Sequence, residues 1–406
     1  MINPDTIRAQ FPIFNQKTPN GLPLIYLDNA ATTQKPQFVI DAISGFYSGY
    51  NSNVGRGTYW PATKATDSFE AVRLKVKEFI NAPSLKEVIF NSGTTDGINK
   101  VMQSCLLPIL KAGDEVIVTE MEHHSNFLPW QRACELKGAH LRTVPLQESG
   151  DLDYKAFEEV LSSKVKFVAV TAVSNALGVV NDVAKITQLA HAVGAKVLID
   201  AAQLLTHKKI DVQQLDCDFL AFSAHKLYGP TGVGVLYGKE ELLEAMIPMS
   251  YGGGIVETVT LANTTFNGLP NKHEAGTPNI AGVIGLGAAI DFVKEHGLEQ
   301  MHKHTQALCE HAIDKLKSIS GIDVLGTPEE RAALISITVD NAHPHDVAAF
   351  LGEKGIAIRA GHHCAQPLMD SLQVPATSRL SFAVYNTFEE VDQALTALIE
   401  VRDFFA

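Results

Sequence analysis

Short apolar runs alternate with helical spacings along the first two-thirds of the chain. Val88–Phe90, Glu115–Thr119, Leu141–Val144, Phe167–Val173, Val197–Asp200, Phe219–Phe222 and Val233–Tyr237 are too short for helices and rich in Val, Ile and Phe, which predicts buried strands. Helical patterns fall between several of them, over Gly97–Cys105, Asn126–Leu136 and Val183–Val193. That alternation predicts an α/β fold with a mostly parallel, helix-covered sheet. Ahead of it, Asn3-Pro4 predicts an N-cap and first-turn proline opening a short helix through Phe11. Leu24–Asp28 reads as a strand running into a small polar loop that ends at Thr33. Val39, Ile40, Ile43, Phe46 and Tyr47, then Phe69, Val72, Val76 and Phe79, have helical spacing.

The pattern changes after Gly254. A polar section from Thr258 to Asn279 gives way to helices over Val283–Glu295 and on through Ile319. Strands follow at Ala333–Val339 and Gly355–Arg359, with helices over Asp346–Glu353 and Glu389–Phe404. This describes a smaller α+β unit, and 406 residues exceed one ordinary core. We expect a large domain over residues 23–290 and a small one built from 1–22 and 291–406, the termini lying close together.

A net charge of -12 argues against nucleic acid or an anionic membrane as partner. No apolar run is long enough to cross a bilayer, and the start lacks a basic region followed by an apolar stretch. The five cysteines are scattered without CxxC spacing, which fits neither a disulfide framework nor a zinc site. A cytoplasmic enzyme without a metal is the expected class.

One lysine, Lys226, stands where a buried strand runs out, in Ser223-Ala-His225-Lys226 before a Gly/Pro cluster. A surface lysine is the commoner meaning of such a position. Burial beside a cationic neighbour such as His225 would instead favour a neutral, nucleophilic amine. A second strand ends in Asp200, and a lysine with a carboxylate able to pair with a pyridine nitrogen is what pyridoxal phosphate needs. Thr95, His123, Asn175, Asp200 and Lys226 all follow strands, where ligands bind in open α/β sheets. Ser92-Gly-Thr94-Thr95, with Ser223 and His225, could hold an anion, although a strand-to-helix turn looks the same. Cys364, beside His362 and His363 and near Arg359, is placed to have a lowered pKa and to react. Arg379 suits a substrate carboxylate or, equally, a surface strand start.

Tyr26-Leu-Asp-Asn-Ala-Ala-Thr-Thr33, Ser92-Gly-Thr-Thr95, Glu122-His-His-Ser-Asn126, Ala201-Ala-Gln203, Ser223-Ala-His-Lys226-Leu-Tyr-Gly-Pro230, Glu274-Ala-Gly-Thr-Pro278 and Arg359-Ala-Gly-His-His-Cys-Ala-Gln-Pro367 resemble the group II cysteine desulfurases, the SufS/CsdA type. These are class V aminotransferase relatives with the pyridoxal phosphate-dependent transferase fold type I, whose large domain holds a seven-stranded sheet. The resemblance implies that Lys226 carries the cofactor and moves the substrate proton, that Asp200 pairs with its ring nitrogen, and that His123 stacks on the ring. Asn175 and Gln203 then contact the phenolate side. Thr94, Thr95, Ser223 and His225 hold the phosphate, with Thr277 reaching over from a second subunit. Arg379, Arg359, Asn175 and Arg56 serve the substrate, and Cys364 takes its sulfur as a persulfide. It further implies a homodimer, L-cysteine as substrate and a SufE-like or SufU-like acceptor feeding iron–sulfur cluster assembly. L-selenocysteine and an aminotransferase reaction are the rival expectations. The family commonly reads Asn-Val-His-Arg-Gly-x-His near the site entrance. Here Gly55 and Tyr59 stand in place of both histidines, which leaves substrate handling and acceptor docking there open.

Overall fold

The computed structural model describes residues 3–406. Seven strands form the large sheet: β1 (Val88–Asn91), β2 (Glu115–Thr119), β3 (His140–Val144), β4 (Val165–Thr171), β5 (Lys196–Asp200), β6 (Phe219–Ser223) and β7 (Gly234–Gly238). Their spatial order is β1-β7-β6-β5-β4-β2-β3. Only β7 runs antiparallel to its neighbours; every other pairing is parallel. The expectation of a mostly parallel seven-stranded sheet holds. Its central strands are buried on both faces, which is why they read as continuous apolar runs and not as alternating ones.

The C-terminal part adds an antiparallel sheet of β8 (Ile322–Val324), β9 (Leu334–Val339), β10 (Arg359–Gly361) and β11 (Thr377–Ser381), in the order β8-β9-β11-β10. It has its own apolar cluster, including Leu308, Ile335, Ile337, Leu351, Leu380 and Leu398, separate from the one around the large sheet. Gly355–Arg359, expected as one strand, is split. Ile356–Ala357 pairs in parallel with Ile25–Tyr26, and only from Arg359 does the chain join β11. The first helix also stops short, at Arg8. Pro12 disfavours helical backbone at Phe11, which is extended.

Phe11 instead plugs the junction of the two parts. Its ring lies 4.6 Å from that of Tyr385, 5.6 Å from Phe292 and 6.1 Å from Tyr228. Arg8 pairs with Glu390 at 2.7 Å and also donates to the Tyr385 and Leu24 carbonyls. The N-terminal segment thus ties the final helix, Phe388–Phe405, to the turn after Lys226. No helix among the described residues is long and apolar enough to cross a membrane, and no cluster of three metal-ligating side chains occurs among them.

Candidate active site

The carboxyl ends of β1, β2, β4, β5 and β6 all open on one cavity of about 310 Å3. Thr94, Thr95, His123, Asn175, Asp200, Gln203, Ser223, His225 and Lys226 line it from the large sheet; Arg359, Cys364 and Arg379 line it from the small one. Two residues of the sequence-derived set do not reach it in this chain. Arg56 and Thr277 line a second cavity of about 660 Å3, beside Glu70 and Glu274.

One end of the site is built for an anion. In the ladder, Ser223 of β6 faces Gly234 of β7, which faces Asn91 of β1. A Cβ on Gly234 would sit 2.4 Å from Gly93 Cα, so only glycine there lets the Ser92–Thr95 turn close over the sheet. The Thr94 amide then donates to Ser223 Oγ at 2.8 Å, and the Thr94 and Ser223 hydroxyls meet at 2.7 Å. Thr95 Oγ1 lies 2.7 Å from Ser125 Oγ, and the helix Thr94–Val101 begins here with its N-terminus toward the cavity. Clustered hydroxyls and a helix N-terminus together favour a phosphate-like group.

Asp200 ends β5, is buried, and accepts from the Ala202 amide at 2.9 Å. Burial raises its carboxyl; that amide and the charge of Lys226 oppose the rise. Burial lowers the Lys226 ammonium to about 8, opposed by Asp200 and helped by Arg379 and Arg359. The cationic neighbour expected from sequence is not His225. Burial, then Lys226 and Lys35, push that imidazole down to about 4, so it is neutral at pH 7. The like charges are the two arginines, brought in by the small sheet.

His123 is likewise neutral, its imidazolium pushed to about 3 chiefly by burial. Its Nδ1 accepts from the Ser125 amide at 3.1 Å, which leaves the proton of the neutral ring on Nε2. The next residue pins the cysteine loop. The His124 amide donates to the Cys364 carbonyl at 2.7 Å, and His124 Nε2 accepts from the Gln366 amide at 3.1 Å. Asn175 Nδ2 donates to the His363 carbonyl at 2.7 Å. His363 and Cys364 both take left-handed backbone, φ 54° and 55°, and Ala365 beneath them is fully buried. The turn therefore presents a free, exposed Cys364 thiol at the cavity mouth.

Arg379 is buried; Nη1 donates to the Asn175 carbonyl at 2.8 Å and Nη2 pairs with Asp28 at 3.0 Å. Sequence reasoning assigned no role to Asp28, although a carboxylate at a strand end was the available signal. It likewise passed over Glu122, fully buried beneath His123. Glu122 accepts from Thr119 Oγ1 at 2.7 Å, the Thr171 amide at 2.9 Å and Asn126 Nδ2 at 2.6 Å. Burial still pushes its carboxyl up to about 8.

The aminotransferase class-V family profile matches residues 25–394. The chain belongs to the class V aminotransferase family. Within that family it is 48% identical over 404 residues to a probable cysteine desulfurase of Halalkalibacterium halodurans, covering 100% of this chain and 99% of the relative. The crystal structure of the Escherichia coli cysteine desulfurase CsdA superposes with a TM-score of 0.93 at 40% identity, covering 100% of both chains. A cysteine desulfurase from Thermococcus onnurineus NA1 gives 0.94 at 38% identity, over 100% of this chain and 99% of that one. These relatives place the chain in the group II cysteine desulfurase branch of the class V aminotransferases.

Proposed function

We propose that this chain is a pyridoxal phosphate-dependent cysteine desulfurase that takes sulfur from L-cysteine onto Cys364 and releases L-alanine. The observation that carries the reading is one cavity lined by Lys226, Asp200, Arg379 and Cys364. The donor set fits the cofactor: an amine, a buried carboxylate, and a hydroxyl cradle that a side chain on Gly234 would fill. Bound there, pyridoxal phosphate supplies an electron sink for the substrate Cα.

The chain's own groups have separable tasks. Lys226 holds the cofactor and carries the Cα proton, and an ammonium lowered to about 8 spends part of its time as free amine at neutral pH. With the cofactor bound, Asp200 would hold the ring-nitrogen proton, His123 would stack on the ring, and Asn175 and Gln203 would contact its phenolate side. Thr94, Thr95, Ser223 and His225 would hold the phosphate, with Thr277 supplied by a second subunit. Arg379 and Arg359 grip the substrate carboxylate, and Arg56, which lines the same separate cavity as Thr277, would flank the entrance only from a second subunit. Cys364 Sγ, as thiolate, bonds to the substrate sulfur as the Cβ–S bond breaks. The electron pair of that bond stays with the three-carbon fragment, which takes up protons and leaves as alanine. L-cysteine and one thiol become L-alanine and one persulfide, so no outside oxidant is needed.

An exposed Cys364 supports delivery of the persulfide sulfur to a SufE-like or SufU-like protein for iron–sulfur cluster assembly. We propose a division into residues 23–290 and 1–22 with 291–406; a separate apolar cluster on the small sheet supports a second domain, although Ile25 and Leu27 join that cluster while Ile7 and Phe11 pack with the large sheet. The deciding experiment adds L-cysteine to the yellow purified protein and assays alanine and reducible sulfur together. Both appear with the wild type and both are lost with Cys364→Ala. A yellow protein yielding neither points to an aminotransferase, and a protein that takes up no pyridoxal phosphate overturns the assignment.

A further inference from the structure

One carbonyl next to the cofactor lysine gathers an unusual set of donors. The oxygen of His225, on the peptide that leads into Lys226, accepts from the Thr33 amide at 3.0 Å, Thr32 Oγ1 at 3.0 Å, Thr33 Oγ1 at 3.2 Å and Lys35 Nζ at 3.1 Å. Lys35 also donates to the Thr33 carbonyl and lies 3.3 Å from Thr32 Oγ1. Thr33 Oγ1 in turn accepts from the Tyr228 amide at 2.8 Å, two residues beyond Lys226. Every polar contact of Lys35 is to a carbonyl or hydroxyl oxygen, and it pairs with no carboxylate among the described residues. Burial without a counter-ion lowers the ammonium to about 7.

Lys35 is half-buried, and an ion pair would stabilise a lysine there better than carbonyls do. Its position therefore has another use: while protonated, it makes a charge-assisted bond to the carbonyl, roughly twice as strong as a neutral one. The same loop ends at Asp28, which holds Arg379, so it spans from the lysine to the carboxylate seat. We propose that Lys35 is a positioning residue for Lys226, its ammonium fixing the His225–Lys226 peptide so that the amine points at the cofactor carbon. This rests on the desulfurase reading of Lys226.

The test compares wild type, Lys35→Met, Lys35→Arg and Thr32→Val. Three quantities are read: the thermal midpoint of the cofactor-free protein, the dissociation constant for pyridoxal phosphate by absorbance, and kcat and KM for L-cysteine. Lys35→Met is expected to weaken cofactor binding and lower kcat, each on the order of tenfold. KM should stay within about twofold, since Lys35 does not touch substrate. Lys35→Arg should recover part of the loss, because it keeps a cation. Thr32→Val removes one donor while keeping the ammonium, so it should move both quantities the same way by less. It carries the test if Lys35→Met does not fold. Unchanged cofactor affinity and kcat in the variants overturn the role, as does a loss that follows thermal stability alone without rescue by Lys35→Arg. Wild-type protein that takes up no pyridoxal phosphate overturns the desulfurase reading instead, and this role with it.

Discussion

Asp28 stands 3.0 Å from Arg379 Nη2, so a carboxylate of the protein already occupies one side of the guanidinium that is proposed to grip the substrate. Arg379 is buried while Asp28 is partly exposed. The pair keeps a buried cation from standing alone, and it also means that a substrate carboxylate arrives beside an existing negative charge.

Asp28→Asn separates these two effects. The variant should lose about 1–3 kcal/mol of stability, less than for a fully buried pair because Asp28 meets solvent. KM for L-cysteine should fall, since the incoming carboxylate no longer shares Arg379. Thermal melts and steady-state kinetics check both. A raised KM would mean that Asp28 orients the guanidinium more than it competes for it.

Lys226 predicts a pH-dependent stability in the cofactor-free protein. Its ammonium is held at about 8 in the fold against an ordinary 10.5. Between those values the unfolded chain binds the proton and the folded one does not, so stability rises with pH across that window. Below 8 the full cost of the buried charge is present. Lys226→Met should therefore stabilise the cofactor-free protein at pH 7, by up to about 3 kcal/mol. The advantage should fade as pH rises from 8 toward 10.5. Urea melts at a series of pH values show whether it does.

Gly234→Ala probes the anion cradle. The new Cβ would lie 2.4 Å from Gly93 Cα, 2.6 Å from Asn91 Oδ1 and 2.7 Å from the Phe222 carbonyl. The Ser92–Thr95 turn must lift away from Ser223, so pyridoxal phosphate affinity should fall on the order of tenfold, with about 1–3 kcal/mol lost in stability. Gly252→Ala, where a Cβ meets nothing within 4 Å, is the control and should bind normally. Cofactor titration separates the two.

Thr277 tests the second subunit. In this chain it lines a cavity apart from Lys226, with Asn53 Nδ2 at 3.4 Å. If it serves a neighbouring site, inactive Lys226→Ala protein mixed with Thr277→Ala protein should recover activity after subunit exchange. Each mixed dimer then has one intact site and one that carries both changes. No recovery would place both residues in the same subunit's site.

Much of this was legible along the chain. Strands buried on both faces announce themselves as unbroken apolar runs, and strand-end polar residues converge by the geometry of a parallel sheet. That is why Thr95, His123, Asn175, Asp200, Ser223 and Lys226 could be placed together from sequence. The motif around Arg359 and Cys364 carried the same information for the small sheet.

What the tertiary structure decided concerns contacts between segments far apart in sequence, and charges whose state depends on burial. No local pattern says that His225 is neutral while Arg359 and Arg379 are the cations acting on Lys226, because desolvation is set by the packed surroundings. Nor does one say that the His124 amide holds the Cys364 carbonyl, or that Asp28 reaches Arg379 across 351 positions of chain. Spacing along the sequence fixes the period of an element and the face it buries. Which distant side chain meets it there, and with what charge, follows only once both faces are packed.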